Sequence, residues 1–380
     1  MVMSRYDVIV VGVGAMGSAT CLALARRGVR VLGLERHGIP HDQGSSHGQS
    51  RMIRCAYYEH PDYVPLLLRS WELWEQLGEE AGRASLYATG GLYMGPPGSE
   101  FVESSLQAAE TYGLEHERLG RSQLQERFPQ FVLPSDFIAM HESKAGFLIP
   151  EWCIEDQVRL ARTHGAEIHE YESVASWDSD AGGVVVQTSA GTYTAGHLVL
   201  CAGAWMPKLS KSILPLQVTR QVLGWMKPAE PSALQLGTLP VWAIDCPGEG
   251  QLYGFPLTEG LPGPTGFKAA MHAPGVVADP NTIDREPRPG DDATFIDRVR
   301  DWIPAAGSEL DAMRICMYTN SIDEHFIIDG HPDHSHVTMA TGFSGHGFKM
   351  SSVIGEVLAD MSTEGRSDHP VAFLGISRLA

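Results

Sequence analysis

Apolar and β-branched residues run almost unbroken through 6–11, the pattern of a strand buried on both faces, and lead straight into Gly12-Val13-Gly14-Ala15-Met16-Gly17. A helix is expected next. Met16, Ala19, Ala23 and Ala25 give it an apolar packing face, Gly28 ends it, and a second short strand over 29–34 closes on Glu35. Val64, Leu67, Leu68, Trp71, Trp74 and Leu77 then recur at three- and four-residue spacing, which predicts a core-packing helix capped by Asp62. Gly, Pro and aromatic residues crowd 90–97 and 124–149, where irregular connections are expected. Helical spacing returns over 153–164, followed by strands near 167–171, 184–188 and 192–193 and an apolar run over 197–201. Strand-like segments fill 216–320, with antiparallel strands expected at 253–255 and 267–271. The chain returns with a strand over 337–340 and a helix over 350–361.

This order predicts an α/β fold, in which a doubly wound Rossmann-like dinucleotide-binding domain is joined to a second, α+β domain built on antiparallel sheet. Residues 1–85, 150–215 and 322–380 are assigned to the first domain, and 86–149 and 216–321 to the second.

Composition narrows the partners. The formal charge of −18 would repel nucleic acid and anionic lipid, so a small molecule is the expected partner, with no nucleic acid and no membrane. No run of ~18 apolar residues and no cleavable leader is readable, which points to the cytoplasm. The six cysteines are scattered without C-x-x-C pairs, as suits a reducing compartment, and no zinc or other metal site is readable.

Four segments carry candidate chemistry. In the glycine loop, Gly12 allows the tight turn, Gly14 lets the backbone approach a pyrophosphate, and Gly17 permits close helix packing; Glu35 stands where a carboxylate would accept ribose hydroxyls. FAD and NAD share this motif. Residues 44–54 concentrate small residues with Arg51 and Arg54, a composition suited to anion recognition. Residues 342–349 repeat the order strand, glycine loop, helix N-terminus, and end in Lys349. Lys268 and His272 share one face of a strand with Ala270, while Phe267, Ala269 and Met271 face the other way.

The segments 51–54, 316–319, 323–329 and 342–349, in this order, resemble the monomeric sarcosine oxidase and N-methyltryptophan oxidase family over nearly the whole chain. The resemblance implies an FAD-binding first domain, a substrate (catalytic) second domain, and a monomer that oxidises the secondary amine of N-methyl amino acids. O2 would take the electrons to give hydrogen peroxide, and water would split the imine into formaldehyde and the primary amino acid. By the same resemblance Cys316 is joined covalently to FAD, and Gly345, His346, His47 and Arg51 lie close to the cofactor. Arg54 and Lys349 would hold the substrate carboxylate, Lys268 would assist electron transfer to oxygen, and His272, Tyr253 and Tyr318 would line the substrate pocket. Departures at Cys55, Tyr58 and His60 leave open a bulkier or cyclic substrate, such as N-methyltryptophan or pipecolate. A flavin-dependent dehydrogenase that does not use O2 is a further alternative.

Overall fold

The computed structural model describes residues 5–211 and 214–379. Arg5–Val11 lies inside a mixed sheet of eight strands. On one side it pairs in parallel with Val31–Leu34, and on the other with Thr192–Leu200. Thr192–Leu200 divides its far edge between two partners. Residues 192–195 carry the antiparallel strand Gly183–Thr188, which pairs onward to Val174–Asp180, and residues 198–200 pair in parallel with His334–Thr341. The two short strands expected at 192–193 and 197–201 are therefore one continuous strand. Helices Ala15–Arg26, Pro150–Thr163 and Ser351–Glu364 contribute to a single apolar core with strand residues Val8, Val10 and Val199.

The second sheet has nine strands. Gln217–Met226 pairs along its full length with Leu310–Asn320, and its other edge takes Phe267–His272 and Val276–Val277. The sheet continues through Gly250–Gly254, Val241–Cys246, Gly91–Gly95, Ile138–Glu142 and His116–Leu119. Phe267, Ala269 and Met271 join its apolar core as expected, whereas Ala270 joins a separate cluster with Trp225 and Cys316. A small sheet of Arg51–Arg54, Ala145–Leu148 and Leu86–Ala88 completes the strand pairing among the described residues.

Several local expectations fail for identifiable reasons. The stretches 90–97 and 124–149 contain ordered strands, Gly91–Gly95, Ile138–Glu142 and Ala145–Leu148, and part of the helix Arg121–Arg127. Their glycines mark close packing: a Cβ at Gly91 would stand 2.4 Å from the Tyr93 hydroxyl and 2.8 Å from the Ala145 methyl. The helix expected to end near Leu77 is Tyr63–Ala81, stopped by Gly82 in the left-handed region. Asp62 precedes it without a side-chain cap, and its own N–H donates to His60 Nδ1 at 3.2 Å. Among the described residues no helix is long and apolar enough to cross a membrane.

Close approach of the first and last helices depends on Gly355, where an added Cβ would stand 2.6 Å from the Ala19 carbonyl carbon and methyl. Gly355→Ala should therefore destabilise the protein by ~1–3 kcal/mol, read as a lower thermal midpoint. An unchanged midpoint would mean that the two helices separate without loss.

Candidate active site

Two chambers meet where the sheets approach each other. The larger, about 420 Å³, is lined by Gly12, Gly14, Glu35, Ser45, Thr319 and Thr341 among others. Gly12 has φ +87°, and a Cβ there would stand 2.5 Å from the Cys201 carbonyl oxygen; one at Gly17 would fall 1.8 Å from the Gly12 oxygen. Strand, turn and helix can close together only because both side chains are missing. Gly14 differs, since a Cβ there would meet nothing within 4 Å and the residue borders the open cavity. Glu35 Oε2 accepts the Val13 N–H at 2.9 Å and Oε1 the His37 N–H at 3.0 Å. Burial raises its pKa, but His41 and these N–H donors outweigh burial and hold it below the usual carboxylate range.

The smaller chamber, about 90 Å³, shares Arg51, Tyr318, Gly345 and Phe348 with the larger. Gly345 is required at the junction, because φ is +80° and a Cβ would stand 2.4 Å from the Tyr318 ring. Cys316 and Tyr318 are two apart on one strand, so both side chains leave the same face. Cys316 Sγ lies 3.7 Å from Arg51 Nη2, which also donates to Ser45 O at 2.9 Å. Burial raises this thiol's pKa, yet the nearby His47 and Arg51 reverse the effect and bring it down to about 6.

The cations of the smaller chamber are held firmly. Arg54 Nη2 donates to both carboxylate oxygens of Glu59, at 2.8 and 2.9 Å, Nη1 donates to Ala56 O at 3.2 Å, and the guanidinium lies over the rings of Tyr57 and Tyr58. The backbone that follows is anchored by the buried Glu142 carboxylate, which accepts the N–H groups of Cys55 and Ala56 and the Tyr93 hydroxyl. Lys349 is fixed from the helix Tyr63–Ala81, whose Ser70 and Trp74 donate to its carbonyl. Its Nζ donates to His346 O at 3.0 Å and to the Tyr57 hydroxyl at 3.3 Å. Burial and then Arg54 lower its pKa to about 7.

His272 and Tyr253 also line this chamber, and His272 Nδ1 is 3.2 Å from the Tyr318 hydroxyl. Burial above all brings His272 to a pKa of about 4, so the ring is neutral at pH 7. His346 borders the smaller chamber, and neither His47 nor Lys268 is part of either wall. Lys268 Nζ donates to Gly48 O, Ser50 O and Ser50 Oγ at 2.5, 2.8 and 3.1 Å. Burial and Arg51 push its pKa well down, while these three acceptors match the three N–H bonds of an ammonium.

The match to the FAD dependent oxidoreductase (DAO) family covers residues 7–361. The chain belongs to this family. It is 42% identical to the monomeric sarcosine oxidase of Streptomyces avermitilis, across 99% of this chain and 98% of that protein. It is 34% identical to N-methyl-L-tryptophan oxidase of Salmonella dublin, across 99% of this chain and all of that protein. The solved structure of NikD, an unusual amino acid oxidase essential for nikkomycin biosynthesis, superposes with a TM-score of 0.85 at 23% identity, covering 98% of this chain and 97% of NikD, a likeness of fold.

The larger chamber fits the family's cofactor. Thr319 Oγ1 and Thr341 Oγ1 are buried on its wall without a hydrogen-bond partner, and the bare backbone at Gly14 leaves room for a pyrophosphate.

Reasoning from sequence missed four supporting residues of this oxidoreductase. Glu59 was signalled only by lying five residues beyond Arg54, and Tyr57 had no polar signature of its own. Glu142 fell in a stretch read as irregular. Glu151, which accepts the Gly48 and Gln49 N–H groups at 2.7 and 3.1 Å, looked like an ordinary first-turn carboxylate.

The Cys316 environment generates a titration. In flavin-free protein the thiolate's ultraviolet absorbance, taken as the difference from Cys316→Ser, should appear with a midpoint at about 6. His47→Ala should move the midpoint upward, and a midpoint unaffected by that change would remove the electrostatic role of His47.

Proposed function

We propose that the protein oxidises the secondary amine of a small N-methyl amino acid such as sarcosine, with O2 and water as co-substrates. The products are the primary amino acid, formaldehyde and hydrogen peroxide. The observation that carries this reading is the pair of buried cations, Arg54 and Lys349, on the wall of one small chamber that shares Tyr318 with the cofactor chamber. A planar fork and a point charge together fix a carboxylate. The relatives named for sarcosine and N-methyltryptophan oxidation support the reaction class.

FAD, when bound, supplies the two-electron acceptor. Gly12, Gly14, Gly17 and Glu35 would hold its adenosine and pyrophosphate end, while Arg51 and Gly345 would border the ring end, with His346 in the adjoining chamber and His47 acting through Cys316. Cys316, whose thiol is pushed down to about 6, is our candidate for the covalent link.

The chain's own groups prepare the amine. Arg54 and Lys349 place positive charge beside it, and burial removes water, so both favour the neutral form with a free lone pair. His272 is neutral and adds no further charge, and with Tyr318 it can orient the amine by hydrogen bonding. Lys268 would stabilise the negative charge that develops on oxygen during its reduction.

A substrate carboxylate competes with Glu59 for Arg54 Nη2. Glu59→Gln should therefore lower KM severalfold, and a raised KM would show that Glu59 helps binding. Lys349 contributes its charge below its pKa, so carboxylate binding should weaken as pH rises above about 7.

A chamber of about 90 Å³ walled by Tyr58 and Phe101 favours a small substrate over N-methyltryptophan. Aerobic turnover of sarcosine, N-methyltryptophan and pipecolate tests this directly. Sarcosine should give peroxide and formaldehyde in equal amounts; turnover of a bulky amine without turnover of sarcosine would overturn the assignment. Lys268→Met should leave anaerobic flavin reduction intact and slow reoxidation by at least ~10-fold. Normal reoxidation would remove the oxygen role of Lys268.

A further inference from the structure

Tyr57 lies between the two cations of the smaller chamber. The Arg54 guanidinium stands 4.4 Å from its ring centroid and Lys349 Nζ stands 5.0 Å from the same centroid. The ring is buried, 1% exposed, and meets Tyr63 edge-on at 5.3 Å. It therefore acts as a rigid spacer.

Its hydroxyl is 2.6 Å from His346 Nδ1 and 3.3 Å from Lys349 Nζ. The other nitrogen of His346, Nε2, lies 3.0 Å from the Glu324 carbonyl oxygen. A carbonyl can only accept, so Nε2 carries the proton and Nδ1 is the acceptor. The Tyr57 O–H must then donate to His346. Its lone pair is left facing Lys349, which can only donate while charged.

The direction of every bond in this line is thus set by one backbone carbonyl. That carbonyl belongs to Glu324, which has φ +61° and sits in the segment 323–329, a motif with no role in the chemistry above. The segment is braced by Arg378, whose guanidinium donates to the Asp323 carboxylate and the His325 carbonyl, and by Ser321, which also donates to the His325 carbonyl. With His346 O and the Tyr57 hydroxyl accepting two of its three protons, the Lys349 ammonium keeps one for a ligand.

We propose that Tyr57, oriented by His346 and the Glu324 carbonyl, is a positioning residue that sets the spacing of Arg54 and Lys349 and aims the Lys349 ammonium at the substrate carboxylate. This rests on the reading of Lys349 as a carboxylate ligand. Tyr57→Phe keeps the ring between the cations and removes only the hydroxyl, which accepts from Lys349 and donates to His346.

The test is a double-mutant cycle on the holoenzyme, with propanoate as the probe and the change in flavin absorbance as the readout. Tyr57→Phe alone should weaken propanoate binding about tenfold. In a Lys349→Met background the same substitution should have no further effect, because it acts through the lysine. Equal weakening in both backgrounds would overturn the positioning role while leaving Lys349 as a ligand. Unchanged binding in Lys349→Met alone would overturn the carboxylate reading itself, and the proposal with it. His346→Ala provides a second arm: it frees the Tyr57 hydroxyl to turn, and should weaken propanoate binding in the Lys349 background only. Loss of the same size in the Lys349→Met background would contradict the proposal.

Discussion

The register of one strand pair governs the rest of the site. Gln217–Met226 and Leu310–Asn320 pair residue by residue from Gln217 to Trp225, with a register shift only at Met226, so Cys316 stands opposite Gln221 and Tyr318 opposite Thr219. A slip of one residue would turn Cys316 and Tyr318 to the other face and send Met317 into their place. With the observed register, Cys316 meets Arg51 and Ser45 at the junction of the chambers, and Tyr318 meets His272. The junction of the two chambers is fixed here because a long antiparallel ladder holds its register more strictly than a loop could.

Around that ladder the molecule concentrates positive charge, although its formal charge is −18. Arg54, Lys268 and Lys349 are all buried near the junction, and each is held by a different device. Arg54 has a carboxylate and aromatic faces, Lys268 has a triad of oxygens from residues 48 and 50, and Lys349 has a carbonyl and an oriented phenol. A buried cation held by neutral oxygens, as Lys268 and Lys349 are, is costly unless an anion arrives. In the function proposed above, that anion is the substrate carboxylate.

Much of this was legible in the sequence where local pattern and chemistry coincide. The strand–glycine loop–helix unit at 6–35 obeys both periodicity and turn chemistry, and Gly12, Gly14 and Gly17 occupy three physically different situations, as their spacing suggests. Lys268 and His272 could be placed on one strand face by alternation alone. What escaped was non-local. Glycines at 91 and 95 read as loop markers, because part of what crowds them, the Ala145 methyl and the Asp245 side chain, comes from distant segments of the chain. Glu142 and Glu151 bind backbone amides 86 to 103 residues away in the chain, and no short-range signal marks such contacts. Tyr57 looked like one aromatic among several until its two cationic neighbours were seen in space.

We propose that Cys316, at the junction the ladder creates, anchors the flavin. The most direct measurement is the distribution of yellow colour after acid precipitation of the purified protein. Colour should remain with the precipitated wild-type polypeptide and pass into the supernatant from Cys316→Ser. Colour released from the wild type would contradict the account.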